Sequence, residues 1–403
     1  MSRNSARHAI GAVASGLLGL AVALPLAGCG STPASGASAP PAGITAAGLA
    51  TALAAPAGGA NWAVVQMGRS AAQHNNFWEL FVRPAGGSAW KLVTPVGAAS
   101  NGGIVAAVTG SSSLLAGVRP SQDLTFTPLA QTTNAGTGWS QNNVFDAGIA
   151  DAPDALAAGP AGQLLAVTGS GDIDTSSGAA ESWSRLTTQH ALASTTAGRA
   201  CNLSAVTAAA WTPGGDPLLG GNCRRHGVAG IFTRAAGIWR AAAPPVPAAL
   251  AADPVSVIGL NTTGTRTTAV LAVGTGAATG VIAAWSSDGG SSWTLSPELR
   301  TGPGTGPSVS FGSDGSAALA LPGRHASSSG QGATIGWQSA GWQRLPPLPA
   351  YTATIAATPS GTPEALVAHL GTLTVWQLSA AGSGGNWTAV QTVHVTIPYG
   401  SSS

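Results

Sequence analysis

Charge is scarce in this chain. It has 16 Lys+Arg and 14 Asp+Glu among 403 residues, or 7%, against about a quarter in ordinary soluble domains. Only one cation is a lysine, Lys91. So few cations cannot neutralise a run of phosphates, which excludes nucleic acid as a partner. Tyrosine (2), methionine (2) and cysteine (3) are also few. The sequence holds no phosphate loop, no dinucleotide fingerprint, no His-Glu-x-x-His and no Gly-x-Ser-x-Gly elbow with a plausible partner order. Neither a cofactor nor a metal is expected. What is abundant is glycine (57), proline (27) and tryptophan (13). The first two exclude a helical bundle. An apolar content of 44% with 13 Trp excludes disorder, because it can bury a large core.

The N-terminus reads as an export signal. Arg3 and Arg7 precede an apolar run from Ala9 to Leu26, which ends in Leu26-Ala27-Gly28-Cys29. Small residues before a Cys suit a peptidase that cleaves next to an alkylated thiol. The segment resembles a bacterial lipoprotein signal with its lipobox. The resemblance implies removal of residues 1–28 and a diacylglyceryl group on Cys29, so that the membrane is the first partner. The alternative is an uncleaved anchor, since about 18 apolar residues nearly span a bilayer. Cleavage removes two arginines and leaves 14 basic against 14 acidic side chains, so lipid rather than net charge would hold the chain to a membrane. Residues 30–43, GSTPASGASAPPAG, form a tether without apolar periodicity. Residues 29–43 are therefore expected as lipidated Cys and tether, and 44–403 as the folded body, extracytoplasmic and monomeric.

With Cys29 assigned to lipid, Cys201 and Cys223 are the only pair left, in a compartment where disulfides persist. Between them lies a strand-like run, a Pro-Gly-Gly-Asp turn and a second strand-like run. Folded as a hairpin, this brings the two thiols together, and a disulfide is the preferred reading over two free buried thiols.

The body repeats. Trp recurs at 90, 139, 183, 239, 293, 342 and 387, at intervals of 44 to 56 residues. Each Trp follows a polar turn, and an aromatic strand such as FWELFV or LTVWQL usually precedes that turn; the third unit lacks the aromatic. Upstream, a Gly or Pro turn opens into an apolar run, as in GPAGQLLAV and GSDGSAALAL. Each unit thus holds four short strands, A to D. Seven such units predict an all-β fold, a seven-bladed β-propeller of four-stranded antiparallel blades. Residues 46–55 are favoured over 393–398 as strand A of the first blade.

One turn carries a family resemblance. Ser286-Ser287-Asp288-Gly289-Gly290-Ser291-Ser292-Trp293 matches Ser-x-Asp-x-Gly-x-x-Trp. It resembles the Asp-box, or BNR repeat, of sialidases and many unrelated propellers. In that family the box is structural, which implies a structural role for Ser286, Asp288, Gly290 and Trp293.

In such a fold the B–C and D–A connections share one side and the A–B and C–D turns the other. Ionisable residues concentrate in the expected B–C loops: Arg69, His74, Arg119, Asp123, Asp172, Asp174, Arg224, Arg225, His226, Arg324, His325 and His369. This bias points to the B–C side as the binding side, or else to ordinary solvated loops. Asp172 and Asp174, in a polar turn, lack the ligand count of a calcium loop. The expected function is a lipid-anchored binding or scaffold module for an envelope protein or glycan, with no catalytic residues. The alternative is a sialidase-like or other glycan-processing enzyme. Against it stand two tyrosines (Tyr351 and Tyr399), no Glu in the B–C loops, and Phe81-Val82-Arg83-Pro84 as a poor match to the sialidase Arg motif.

Overall fold

A computed structural model describes residues 49–67, 77–98, 100–119, 129–141, 149, 151–177, 182–274, 279–301, 306–321, 328–357, 361–379 and 385–395. Cys29, Arg69, His74, Asp123, Arg324 and His325 lie outside them, and with them the expected lipid site.

The described strands pair into seven four-stranded antiparallel meanders, each from one continuous stretch of chain. The first comprises β1 (Thr51–Ala54), β2 (Asn61–Gln66), β3 (Trp78–Arg83) and β4 (Lys91–Leu92). The second is β5 (Gly103–Gly110), β6 (Ser113–Arg119), β7 (Leu129–Thr132) and β8 (Ser140–Gln141). The third is β9 (Pro153–Ala158), β10 (Leu164–Thr168), β11 (Asp172–Ser176) and β12 (Ser184–Thr188). Helices α1 (Gln189–Ala193) and α2 (Thr196–Cys201) lead into the fourth: β13 (Leu203–Trp211), β14 (Pro217–Cys223), β15 (Gly230–Ala235) and β16 (Ile238–Ala241). The fifth holds β17 (Val255–Thr263), β18 (Arg266–Val273), β19 (Gly280–Ser286) and β20 (Thr294–Leu295), with β21 (Leu299–Arg300) also on β19. The sixth is β22 (Ser308–Phe311), β23 (Ala317–Leu321), β24 (Gln331–Ile335) and β25 (Gln343–Arg344). The last is β26 (Thr352–Ala357), β27 (Pro363–His369), β28 (Thr372–Leu378) and β29 (Trp387–His394).

Strands such as β10 and β19 are near-continuous runs buried along their whole length, so each sheet is apolar on both faces and needs a neighbour on each. The core accordingly falls into separate clusters, each shared by two successive meanders. Val64 and Leu80 meet Ile104 and Leu114 between the first and second. Val105 and Leu115 meet Leu164 between the second and third. Val167 and Ile173 meet Trp211 and Leu219 between the third and fourth. The fourth and fifth, fifth and sixth, and sixth and seventh share clusters of the same kind. The circuit closes where Val65 and Phe81 of the first pack on Leu366 and Val375 of the last. This is a β-propeller, and the N-terminal β1 is the inner strand of the first blade, as the sequence favours.

Every repeated Trp packs into the cluster that its blade shares with the preceding one. In three blades the indole N–H also donates to a backbone carbonyl just past the outer strand of that neighbour. These bonds are Trp139 Nε1 to Val93 O (2.8 Å), Trp293 Nε1 to Ala242 O (2.8 Å) and Trp387 Nε1 to Pro346 O (3.4 Å). The period visible in the sequence is thus a period of seams between blades.

Among the described residues, blades pair strand to strand at two places: β14 meets β17 antiparallel at Asn222 and Ser256, and a second pairing breaks the regular ring. Inner strands β1 and β22 pair directly, in parallel, at Leu53 and Phe311. The Thr51 hydroxyl donates to Val309 O, and Ala52 N–H donates to Ser310 Oγ. Strand β26 is left behind this pair. Its buried Thr354 hydroxyl lies 2.7 Å from Ser308 Oγ and 2.8 Å from Ser310 Oγ.

Candidate functional site

The B–C side was expected to hold the ionisable residues as a binding surface. Several are instead engaged with each other. Arg119, closing β6, forms an ion pair with Asp154 at the start of the next blade. Burial pushes the Asp154 carboxyl above its ordinary range, and Arg119 pulls the other way. Asp172 and Asp174 are not in a turn. They stand on strand β11, which takes the place of the missing aromatic strand of the third unit. Arg185 on the paired strand β12 forks onto both, at 2.6 and 2.7 Å. The polar turn expected to hold both aspartates is therefore corrected to a tight turn ending at Gly171 (φ +85°). The alternation Asp-Ile-Asp-Thr buries Ile173 and turns both carboxylates to the one guanidinium.

His369 closes β27 beside a two-residue turn in which Leu370 and Gly371 both have positive φ. Its ring stacks on Tyr351, with centroids 4.1 Å apart. Tyr351 itself sits at φ +64°. The phenol that the glycosidase alternative would need as a nucleophile thus faces an imidazole.

Arg224, Arg225 and His226 differ from the rest. They follow β14 on an exposed turn that backs onto α2. The Cys201–Cys223 disulfide, with Cα atoms 5.2 Å apart, fastens turn to helix. Arg224 N–H donates to Asn202 O at 3.0 Å, and Arg225 N–H to Cys201 O at 3.3 Å. His226 Nδ1 meets Ala252 O at 2.8 Å. A carbonyl only accepts, so that nitrogen carries the proton and Nε2 is left open. The two helices were not foreseen in the sequence. Their signal was present in Thr188 and Thr195, whose hydroxyls cap them by accepting from Ala191 N–H and Gly198 N–H, both at 3.0 Å.

The Ser286–Trp293 turn is a closed hydrogen-bond circuit. Asp288 Oδ1 accepts from the Ser286 hydroxyl (2.8 Å) and Ser292 N–H (2.9 Å), and its other oxygen accepts from the Ser292 hydroxyl. The Ser292 bonds hold the Asp288 carboxyl down to about 2. Gly290 (φ +91°) donates its N–H to Ser286 Oγ. All donors in the circuit are local, so the turn serves to aim Trp293 at the fourth blade.

Among the described residues, three concave spaces bear on function. The central channel is lined by inner strands of six blades, with Leu53, Ala107, Ala157, Ala209, Ile258 and Phe311 among its residues, and about 1120 Å³ of space counting its open mouth. The seventh contributes nothing because β26 lies behind β1 and β22. The A–B side carries two grooves. One, about 950 Å³, lies between the fourth and fifth blades beside Asp216 and Asp288. The other, about 1110 Å³, joins the sixth, seventh and first blades. It combines Asn61, Asp314, Thr334 and Gln343 with apolar Ile355 and Leu378. Burial opposes ionisation of Asp314, but hydrogen bonds from Ser316 outweigh it and hold the carboxyl below its ordinary value.

The buried Arg83–Glu364 pair lay outside the expected site. Arg83 closes β3 rather than sitting in a turn, at 6% exposure, and Glu364 on β27 is 5% exposed. Arg83 Nη1 is 2.7 Å from both Glu364 oxygens, and Trp90 Nε1 donates to one of them at 2.9 Å. No local motif announces partners 281 positions apart.

No family model matches the sequence, and no curated protein matches it. Solved structures similar to the chain include YCF48 bound to a D1 peptide, at 15% identity over 88% of this chain and 95% of that one, with TM-score 0.42. A protein from Lactobacillus plantarum is 10% identical over 82% and 96%, with TM-score 0.49. The GH74 enzyme of Niastella koreensis is 13% identical over 86% and 46%, with TM-score 0.36. A peptide complex and an enzyme stand side by side here, and they single out no activity.

Proposed function

We propose that this chain is a lipid-anchored, extracytoplasmic propeller that acts as a binding or scaffold module for an envelope protein or glycan. The partner engages its A–B side. The observation that carries this reading is the direction of β1. Leu49, the first described residue, leads into β1, and β1 runs toward the A–B turn at 55–60. Leu49 therefore enters the ring on the B–C side. With the lipid on Cys29, the B–C side lies toward the bilayer and the A–B grooves open away from it. The density of ionisable residues that favours the B–C side in the sequence reflects internal pairing for Arg119, Asp172 and Asp174. The groove at the first, sixth and seventh blades offers amide, hydroxyl and carboxylate groups beside apolar surface, a lining suited to a polar neutral ligand such as a glycan or an extended peptide.

The test is site-specific photocrosslinking in intact envelopes. A crosslinker at Gln343 is expected to recover an envelope component that one at Arg224 does not. The reverse pattern would overturn the side assignment. Loss of palmitate labelling in a Cys29→Ala variant checks the anchor, and unchanged labelling would remove it.

A further inference from the structure

We propose that Arg199, Arg224 and Arg225, with His226, form a seat for anionic phospholipid headgroups that holds the propeller B–C side down. The geometry of this inference rests on the anchored reading above. A tether of residues 30–43 reaches about 20 Å r.m.s., as far as a six-residue strand spans. The tether by itself therefore biases the ring toward one orientation and does not hold it there. A second contact is needed, and the B–C side supplies one.

The other described cations that reach this side from the second and third blades are neutralised: Arg119 by Asp154, and Arg185 by Asp172 and Asp174. Arg199, Arg224 and Arg225 are exposed, and no described carboxylate lies within 4.0 Å of them. The nearest acidic residue in the adjoining connection, Asp253, meets this turn through its backbone carbonyl, which accepts from Gly227 N–H at 2.8 Å. The backbone beneath is pinned by the disulfide, by the bonds of Arg224 and Arg225 to residues 201–202, and by Arg225 Nη1 to Ala200 O at 3.3 Å. Three guanidinium groups on one rigid rim suit an array of phosphodiesters, which they can bind through paired N–H donors. Nine of the twelve described cations have no described carboxylate within 4.0 Å, and these three share one turn and the helix behind it.

The experiment reconstitutes the lipidated full chain into vesicles of phosphatidylcholine alone or with about 30 mol% phosphatidylglycerol. Amide hydrogen exchange is followed at 199–202 and 224–228. Protection is expected only with the anionic lipid, and is expected to vanish near 0.5 M salt, where the Debye length falls to about 4 Å. Replacing all three arginines by alanine should weaken it by about a hundredfold, about fivefold for each, while replacement by lysine should keep most of it. Equal protection in both vesicles, or protection that survives the alanine variant, would overturn the proposal. So would protection by inorganic phosphate alone, or protection that arises only when envelope protein is added. If Cys29 carries no lipid label, the anchored reading fails by itself. Co-sedimentation of the unlabelled protein with the same two vesicles then tests the arginines directly, and no preference for phosphatidylglycerol would overturn them too.

Discussion

The seam between the last and first blades is built unlike those between the third and fourth and between the fourth and fifth. At the third and fourth, or fourth and fifth, blades the contact is almost wholly apolar, with an indole laid across it. At the seventh and first, the indole of Trp90 is fully buried and its N–H goes to a carboxylate, Glu364, which also takes Arg83. The Arg83 guanidinium stands over the Trp90 ring at 5.4 Å. The Gln391 side chain bonds both the N–H and the C=O of Trp90, at 2.8 and 2.7 Å. The reason lies in connectivity. Six seams join blades that are neighbours in sequence, and short connections hold them close. The seventh joins groups 281 residues apart, and closing that loop costs about 3 kcal/mol more than closing one of ten residues. Apolar contact alone would also accept other pairings. A buried ion pair penalises every arrangement that leaves one member alone.

The largest expected effect comes from breaking that pair. Glu364→Ala should destabilise the protein by about 3–5 kcal/mol, because it strands a buried guanidinium and an indole N–H. Joint replacement by Arg83→Met and Glu364→Leu should recover much of the loss. Denaturant unfolding measures both, and hydrogen exchange should place the loosening at β3 and β27. An Ala variant no weaker than an ordinary seam mutant would erase the distinction between the seams.

An ordinary seam is sampled by Trp293→Phe. It removes the bond to Ala242 O and some packing, and should lower stability by about 1–2 kcal/mol. A loss as large as that of Glu364→Ala would mean the seams are equivalent after all.

The smallest effect is a pH arm at that same seam. Asp288 is held down to about 2 from 3.8. A depressed carboxyl binds fewer protons folded than unfolded, so its contribution is complete above about pH 4 and declines as pH falls toward 2. Asp288→Asn should flatten stability between pH 4 and 2, with its cost largest at pH 7 and smallest near pH 2. An unaltered acid profile would show that the carboxylate circuit adds nothing to the aim of Trp293.

Much of the fold was legible because its signals are local and repeated. The Trp interval, the Gly and Pro turns and the apolar runs locate all seven meanders. The hairpin between Cys201 and Cys223 was readable because strand, turn and strand lie within 22 residues, and the disulfide is there. Helices α1 and α2 were missed because they are five and six residues long, too short for apolar periodicity. Counting ionisable residues by loop could not reveal that Arg119, Asp172 and Asp174 are tied to partners on neighbouring strands. The third blade's Asp-rich strand escaped because its β-character comes from pairing with Arg185 rather than from its own composition.

The sequence by itself determined the repeat, the strand order within each blade and the place of each Trp, since these depend on neighbours a few residues apart. Only the tertiary structure decided how the ring closes, which described cations lack a carboxylate partner and on which side Leu49 leads into β1. Those outcomes depend on groups brought together across hundreds of residues, and no local pattern encodes such a meeting.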